Sequence, residues 1–189
     1  MENKIKELNN IFNYGTIYID YCELGLGVFA KTDIKKGEVI YRFTGGVIDY
    51  YEAKNIPGKE ECMALQIGDN KYIDTDIPGC YINHSCEPNC AIVDDFNLIA
   101  LVNIPINTEL RYDYSTTMDD GYRMECRCGK DLCRGVVEDF KKIPLSTQIK
   151  YLEKNLTMKY IHKKYGHKVH QLTTHCTECK PQDVFSDLQ

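Results

Sequence analysis

The sequence predicts a mainly β domain with short helices, followed by a zinc-binding cysteine loop and a C-terminal helical segment. Three observations support this prediction. Short apolar segments alternate with turn-forming residues over roughly the first hundred residues, which is typical of small antiparallel sheets. Cys126, Cys128 and Cys133 lie close together around a glycine turn. From Leu145 onward, apolar residues recur every three or four positions, which is the spacing of an amphipathic helix.

The strands are predicted in neighbouring pairs. The segments "TIYID" and "LGVFA" flank a turn, and "VIYRF" follows the turn "IKKGE". A hairpin is predicted for "ECMALQI" and "NKYID" around Gly68-Asp69-Asn70, and "AIVDD" and "LIALV" are predicted strands around "DFN". The stretch "YYEAKNIP" has helical character that ends at Pro57. We therefore expect a β-rich body before the cysteine loop.

The C-terminal segment is predicted to be helical and to pack back on the body or to form a partner surface. Its helical spacing is formed by Leu145, Ile149, Leu152, Leu156, Tyr160 and Ile161. After Gly166 the sequence has no clear periodicity. His175, Cys176 and Cys179 suggest a second metal site, but a single Cys-x-x-Cys without a matching pair is weak evidence, and the alternative is a mobile tail.

The charge is divided unevenly along the 189 residues. Residues 1–140 hold 14 basic and 24 acidic residues, a net charge of −10, whereas residues 141–189 hold 9 and 4, a net charge of +5. An acidic body attracts cationic partners such as a lysine-rich peptide and disfavours nucleic acid as the main ligand. The alternative interpretation is an acidic surface that only confers solubility.

The start of the chain and its cysteines predict an intracellular protein, cytoplasmic or nuclear. The first ten residues, "MENKIKELNN", have no apolar run, so we expect no signal peptide. No stretch of about 18 apolar residues is present, so we expect no membrane-spanning helix. The ten cysteines are then expected to be reduced thiols, with metal binding as the use of those that cluster.

The stretch "YINHSCEPNC", from Tyr81 to Cys90, is dense in polar and metal-competent side chains. Taken alone, it fits a metal knuckle, a Cys-His nucleophile pair or a buried polar turn. A closed zinc site needs four ligands, and the cysteine loop supplies three. The sequence therefore predicts a distant fourth cysteine, for which Cys86 and Cys90 are the candidates.

Two further motifs could line a pocket. In "ELRYDYS", strand alternation places Tyr112 and Tyr114 on one face and Asp113 on the other, although ordinary strand tyrosines would show the same pattern. The motif Gly25-Leu26-Gly27 would let the backbone approach a ligand closely, although Gly-x-Gly is more often a simple turn.

Taken in order, these motifs resemble the SET-domain protein lysine methyltransferases. The matching elements are "GLGVFA…IKKGEVI", "YIDTDIPGCYINHSCEPNC", "ELRYDYS" and "CRCGKDLCRG", the last as a post-SET cysteine cluster. The resemblance implies a β-clip SET fold, in which the Asn-His-Ser-Cys segment and the chain near "ELRYDYS" form a pseudoknot. It also implies a SET domain at 14–117, a post-SET zinc-binding motif at 122–138, and a helical extension and tail at 139–189.

The resemblance further implies an enzyme that methylates a lysine side chain in a basic protein or peptide, a histone tail being one possibility. Tyr114 would be the catalytic tyrosine, and Tyr112 would limit the number of methyl groups added. S-adenosylmethionine would be bound by Gly25, Leu26, Gly27, Tyr81, Asn83 and His84. One structural zinc ion would be bound by Cys86, Cys126, Cys128 and Cys133. Rival hypotheses make His84 a general base or Cys86 a nucleophile.

Three departures from the family pattern support an alternative, a catalytically weak SET module that binds a peptide or partner. Phe43-Thr44-Gly45-Gly46 stands where the family usually has Tyr-x-Gly-Glu, which removes a phenol and a carboxylate. Cys80-Tyr81 stands where the family usually has Arg-Phe, which puts one packing or cofactor contact in doubt. Only 24 residues precede Gly25, so no cysteine-rich segment is expected ahead of the domain.

Overall fold

The computed structural model describes residues 2–11, 15–56 and 64–175. The strands in this part of the chain are β1 (Ile17–Cys22), β2 (Gly25–Ala30), β3 (Val39–Arg42), β4 (Gly45–Ile48), β5 (Leu65–Gly68), β6 (Lys71–Thr75), β7 (Asn83–His84), β8 (Cys90–Val93), β9 (Asn97–Ala100), β10 (Arg111–Tyr112), β11 (Arg123–Glu125) and β12 (Val136–Glu138). The α-helices are α1 (Glu2–Ile11), α2 (Tyr50–Lys54), α3 (Leu145–Glu153) and α4 (Lys159–His175). Short 3-10 helices cover Gly79–Tyr81, Tyr114–Thr116 and Phe140–Lys142.

The described strands form five small sheets rather than one continuous sheet. Two of them are antiparallel and three-stranded, with the orders β3-β9-β8 and β4-β6-β5. The strands β1 and β2 form a hairpin, as do β11 and β12. The strands β7 and β10 are the parallel pair, and they come from segments far apart in the sequence. The mainly β fold with short helices that the sequence predicts is therefore confirmed.

The predicted strand pairs are found at the expected places. The strands β1 and β2 correspond to "TIYID" and "LGVFA", and β8 pairs with β9 from Cys90 to Ala100. In the β5–β6 hairpin, Asn70 has a φ of 50°, a left-handed conformation that asparagine tolerates in a tight turn. The helix α2 begins at a capping box in which Asp49 and Glu52 satisfy each other's backbone amides. The β4 strand and the β11–β12 hairpin were not predicted.

The C-terminal segment is helical, as predicted, but it is divided into two helices. The break falls between α3 and α4, where Asn155 has a φ of 53° and ends the helical path. The α4 backbone remains helical beyond Gly166 as far as His175, although the sequence there lacks apolar periodicity. The predicted second metal site at His175, Cys176 and Cys179 depends on residues 176–189, which lie outside the described residues.

The body and the C-terminal helices share one hydrophobic core. Val28, Ile92 and Leu98 from the sheets are fully buried in the same cluster as Phe140 and Ile161 from the C-terminal segment. Burial of this apolar surface is the main stabilising contribution, and it fixes α3 and α4 against the body. Among the described helices, none has both the length and the apolar character that crossing a membrane requires.

Candidate active site

The parallel pairing of β7 with β10 brings the two most polar motifs of the chain together. Asn83 pairs with Arg111, and His84 pairs with Tyr112. The Ser85 amide donates a hydrogen bond of 3.0 Å to the Tyr112 carbonyl, which continues the pairing by one residue. A strand pair of only two residues each is short, so its position depends on the surrounding core. This pair places the chain around Asn83 beside the chain that carries Tyr114.

A cleft of about 360 Å³ opens beside this strand pair. Four of the six residues that the sequence predicts as cofactor contacts line it, namely Leu26, Tyr81, Asn83 and His84. Tyr114 also lines it, as do Met124 and Glu125 of β11 and Arg127 and Cys128 just after that strand. Gly25 and Gly27 are not among the lining residues. The cleft therefore lies between the β body and the segment 123–138, which we call the cysteine loop.

The Asn83 side chain, which lines the cleft, is hydrogen-bonded to β2 and to Glu109. Its amide donates hydrogen bonds to the Leu26 carbonyl at 3.0 Å and to Glu109 Oε1 at 2.9 Å. A Cβ on Gly27 would lie 2.8 Å from Glu109 Oε1 and 3.3 Å from Asn83 Nδ2, so a larger residue would disturb this network. Glu109 in turn forms an ion pair with Arg111, which donates to the Cys128 carbonyl at 3.0 Å. Gly27 thus allows close packing behind the cleft wall.

His84 has both ring nitrogens engaged within the protein. The Tyr114 amide donates to Nδ1 at 3.2 Å, so Nδ1 is an acceptor and the proton of the neutral ring lies on Nε2. Nε2 lies 3.3 Å from Cys86 Sγ, to which it can donate. Burial lowers the pKa of His84 to about 4, helped by the charges of Arg134 and Arg111 and opposed by Asp113. A neutral, enclosed imidazole of this kind positions Cys86 and Tyr114, and the arrangement argues against His84 as a general base.

A second, narrow cavity of about 30 Å³ lies on the other side of Tyr114. The Tyr112 and Tyr114 rings lie on the same side of the chain with centroids 4.9 Å apart, as the predicted alternation required. Phe43 packs edge-on against Tyr112 at 6.1 Å. The lining residues are Phe43, Ala64, Leu65, Thr75, Gly79, Cys80, Ile82, Tyr112, Tyr114, Thr117 and Met118. Tyr114 and Cys80 line both cavities, so the two cavities are adjacent at these residues.

The two tyrosine hydroxyls differ in their surroundings. Tyr114 donates a hydrogen bond of 2.8 Å to the Ile82 carbonyl, which fixes the direction of its hydroxyl. Tyr112 is 7% exposed, and burial raises the pKa of its phenol well above the usual value, with the neighbouring Tyr114 and Asp113 adding to the shift. The Tyr112 phenol is therefore a neutral group in the narrow cavity, and Tyr114 lines both cavities.

The four predicted zinc ligands lie together. The Sγ atoms of Cys86, Cys126, Cys128 and Cys133 all lie within 4.8 Å of one another. The Cys86 and Cys126 sulfurs are 3.7 Å apart, close to the roughly 3.8 Å that tetrahedral geometry requires at a Zn–S distance of about 2.3 Å. The backbone amides of Arg134 and Gly135 each donate to a cluster sulfur at 3.4 Å, which stabilises thiolates. The donor set therefore fits a structural zinc ion.

The structure also distinguishes between the two candidates for the fourth cysteine. Cys90 is fully buried in β8, opposite Ala100, where burial raises the pKa of its thiol to about 12. It belongs to the sheet core, and only Cys86 joins the cysteine loop. Burial raises the pKa of the Cys86 thiol to about 11, although the backbone amide and charge of Arg134 oppose it. A Cys86 nucleophile in the cleft is disfavoured, because the thiol faces the cysteine cluster.

Comparison with known proteins agrees with this geometry. The family model described as "SET domain" matches residues 25–115. The chain contains a SET domain. Its relatives include the rice (Oryza sativa subsp. japonica) histone-lysine N-methyltransferase TRX1, 34% identical over 144 residues, and the Arabidopsis thaliana histone-lysine N-methyltransferase ASHH1, 32% identical over 132 residues. These alignments cover 67% and 60% of this chain but only 14% and 27% of the two relatives.

A solved structure shares the fold of the SET domain. The Arabidopsis thaliana protein SUVH6, crystallised in complex with SAM, superimposes with a TM-score of 0.51 and is 26% identical in sequence. The superposition covers 63% of this chain and 32% of that chain. The arrangement of small sheets in this chain is therefore also found in a solved structure.

Asp113, between the two tyrosines of the SET domain, points away from the cavities and is fully enclosed. Arg134, which follows Cys133, donates to both of its carboxylate oxygens at 2.7 and 2.8 Å. The Tyr151 hydroxyl from α3 donates to the same carboxylate at 3.0 Å. Sequence reasoning missed these residues, because no spacing relates them to Asp113. The adjacency of Arg134 to Cys133 was the one available signal.

Proposed function

We propose that this SET domain transfers a methyl group from S-adenosylmethionine to a lysine side chain of a protein substrate. The observation that supports this most directly is that Tyr114 lines two cavities of very different size. The larger cleft suits a cofactor of nucleoside size, and the narrow aromatic cavity suits an unbranched alkyl amine. An in-line displacement needs donor and acceptor to meet end to end, so a junction at one side chain is the arrangement that it requires.

The cofactor would supply an activated methyl group on a sulfonium, and the residues of the chain would align the acceptor. Tyr114 donates its hydroxyl hydrogen to Ile82, and its oxygen can also accept a hydrogen bond from a substrate amine. That contact would direct the nitrogen lone pair toward the larger cleft. Phe43 and Tyr112 would exclude water and lower the pKa of the substrate amine, because burial disfavours the ammonium form.

We propose that a zinc ion bound by Cys86, Cys126, Cys128 and Cys133 orders the cysteine loop. The loop contributes Met124, Glu125, Arg127 and Cys128 to the larger cleft, and it has few apolar contacts of its own. The small cluster around Met118 and Val137 is its main packing. Metal binding would therefore stabilise the wall of the cofactor site, and the boundaries 122–138 remain our prediction for this motif.

The substrate would be a lysine in a basic protein or peptide. The net charge of −10 over residues 1–140 favours such a partner over nucleic acid. The relatives named as histone-lysine N-methyltransferases make a histone tail the first substrate to test. Such a substrate would place the chain inside the cell, in the nucleus or the cytoplasm.

The test is a methyl-transfer assay with radiolabelled S-adenosylmethionine, first on a mixed protein lysate and then on histones. We expect label on protein, and mass spectrometry should assign it to lysine. Tyr114→Phe is the matched control, because it removes one hydroxyl and leaves the ring packing. Absence of label with the native protein on every substrate would contradict the proposal, provided that the cofactor binds.

The alternative, a catalytically weak module that binds a peptide, has one specific structural observation in its favour. Phe43 lies in the wall of the narrow cavity and is 2% exposed, so no hydroxyl is offered where related sequences usually carry tyrosine. A binding module would retain affinity for lysine peptides without turnover. Calorimetric binding of a histone peptide together with an undetectable methyl-transfer rate would favour this alternative.

A further inference from the structure

The C-terminal segment contacts the back of the turn that carries Tyr114. The Met158 amide donates to the Thr116 carbonyl at 3.1 Å, and the Tyr160 hydroxyl donates to the Thr117 carbonyl. The Phe140 amide donates to the Met118 carbonyl at 3.0 Å. These three hydrogen bonds hold the carbonyl groups of three consecutive residues, which begin at the end of the 3-10 helix that carries Tyr114.

The same segment also reaches the residue just before Tyr114. The Tyr151 hydroxyl of α3 donates to Asp113 Oδ2 at 3.0 Å. Asp113 Oδ1 accepts from the Ser115 amide at 3.1 Å, so the carboxylate spans the first turn of the 3-10 helix around Tyr114. Tyr151 thus acts on Tyr114 through the carboxylate and the backbone, without touching either cavity.

The residues that accept these hydrogen bonds are buried. Thr116 and Thr117 are each 2% exposed, so water has little access to their carbonyls if a donor is lost. Thr117 and Met118 also line the narrow cavity. A shift of their backbone would therefore change the width of that cavity and the direction of the Tyr114 hydroxyl together.

We propose that Tyr151 and Tyr160 are positioning residues for methyl transfer, and that they fix the rear wall of the narrow cavity. This inference rests on the proposed function of the same site. The two phenols are not equivalent. Asp113 keeps both hydrogen bonds from Arg134 when Tyr151 is changed, whereas Thr117 loses the donor that Tyr160 provides. Tyr160 therefore has the larger effect.

The chain offers a matched control in Tyr165. It lies on α4 like Tyr160, and its hydroxyl donates to Asp119 Oδ1 at 2.9 Å. Asp119 lines neither cavity. Tyr165→Phe thus removes the same kind of group from the same helix and leaves the wall of the narrow cavity intact.

The experiment compares Tyr151→Phe, Tyr160→Phe and Tyr165→Phe in the full chain. Hydrogen exchange of the peptide covering residues 113–118 reports on the wall independently of activity. It should rise in Tyr160→Phe, rise less in Tyr151→Phe and stay at the native level in Tyr165→Phe. We expect kcat to fall by roughly two- to tenfold in Tyr160→Phe, as the loss of one buried hydrogen bond implies, with an unchanged Kd for S-adenosylmethionine. The ratio of monomethylated to dimethylated product should shift as well.

Two results on activity, and one on exchange, would overturn the inference. The first is faster exchange in Tyr160→Phe with native kcat and product ratio, because the wall would then move without affecting the reaction. The second is an equal loss of kcat in Tyr165→Phe, which would indicate a general loss of stability. An inactive native protein would refute the proposed function. Even then, unchanged hydrogen exchange in Tyr160→Phe would show that the Tyr160 phenol does not hold the wall of the narrow cavity.

Discussion

The two cavities that meet at Tyr114 are walled by different parts of the chain. The cysteine loop contributes Met124, Glu125, Arg127 and Cys128 to the larger cleft. Among the described residues that line the narrow cavity, none belongs to that loop, and Thr117 and Met118 in its wall are held from behind by the C-terminal segment. Under the proposed function, cofactor binding and amine alignment would therefore depend on separate structural elements.

This difference indicates how each half of the site obtains its rigidity. The cysteine loop has only a small apolar cluster, so we expect it to depend on the proposed zinc ion for its order. The narrow cavity is surrounded by the main core, which includes Tyr112, Phe43 and Leu65. The Arg134 side chain joins the halves, because it extends from the cysteine loop to the carboxylate of Asp113. Variants in either half should therefore separate cofactor affinity from the alignment of the amine.

The largest expected effect comes from Tyr114→Phe, which acts where the halves meet. In the proposed reaction the hydroxyl would lie at the reacting centre, so its loss should lower kcat by about 10² to 10³. S-adenosylmethionine should bind nearly as well as before, because Leu26, Asn83 and the cysteine loop remain in place. Single-turnover kinetics and calorimetry measure the two quantities. A strong loss of cofactor affinity would show that Tyr114 is chiefly a binding residue.

Cys133→Ser should disorder the cysteine-loop wall of the larger cleft and leave the residues around the narrow cavity folded. Removing one of four thiolates should release the zinc and weaken S-adenosylmethionine binding by at least about tenfold, since the loop that lines the cleft loses its order. Metal analysis by mass spectrometry and calorimetric binding measure both.

The neighbouring Leu132→Ser is a matched control for this variant, because Leu132 is 72% exposed on the same loop and is not a ligand. Full metal content in Cys133→Ser would contradict the assignment of Cys133. If Cys133→Ser lost its zinc and still bound S-adenosylmethionine normally, the larger cleft would not depend on metal for its wall.

The sequence was most informative where function depends on neighbouring residues. Cys126, Cys128 and Cys133 lie in one short loop, and Tyr112 and Tyr114 are two positions apart, so their chemistry was visible as local patterns. The mainly β fold followed from the same kind of short-range alternation. The choice of Cys86 over Cys90 needed a family resemblance, because both lie in one polar stretch. Local spacing did not distinguish a zinc ligand from a core thiol.

The supporting contacts could not be predicted, because their partners are distant in sequence. Arg134, Tyr151 and Tyr160 lie 21, 38 and 43 residues from the groups that they contact. On an amphipathic helix, a phenol that donates to a distant carbonyl has the same spacing as a phenol in the core. The helix break at Asn155 was hidden for a related reason, since the apolar spacing continues through it.

Tyr112→Phe tests the narrow cavity alone. At about 30 Å³ the cavity leaves little free space beside the Tyr112 hydroxyl, so this hydroxyl would hinder a methyl group on the amine from turning. We expect the native protein to give mainly monomethyllysine, and Tyr112→Phe to speed the second methylation by about tenfold. Mass spectrometry of a peptide at long reaction times measures this. Mainly trimethylated product from the native protein would refute this role of Tyr112, with Phe43 as the reason for the extra space.

The smallest expected effect is at Asp119, which fastens α4 to the body outside both cavities. Its carboxylate pairs with Lys141 at 3.0 Å and with Lys164, and it accepts from Tyr165 at 2.9 Å. Burial alone would raise the pKa of Asp119, but the hydrogen bonds from these three side chains outweigh it, and the pKa lies below its usual value. The carboxylate therefore stabilises the fold at neutral pH.

This stabilisation has a defined pH range. Because the folded pKa lies below the unfolded value of about 3.9, the contribution is fully present above that value and is lost as the pH falls through the folded pKa. Asp119→Asn should lower stability at pH 7 by about 1–3 kcal/mol, and the difference from the native protein should shrink below about pH 4. Thermal unfolding at both pH values measures it, with the exposed Asp131→Asn of the cysteine loop as control. An equal loss of stability in both variants would show that the Asp119 contacts contribute nothing specific. A weaker affinity for S-adenosylmethionine in Asp119→Asn would show that the C-terminal segment also supports the larger cleft.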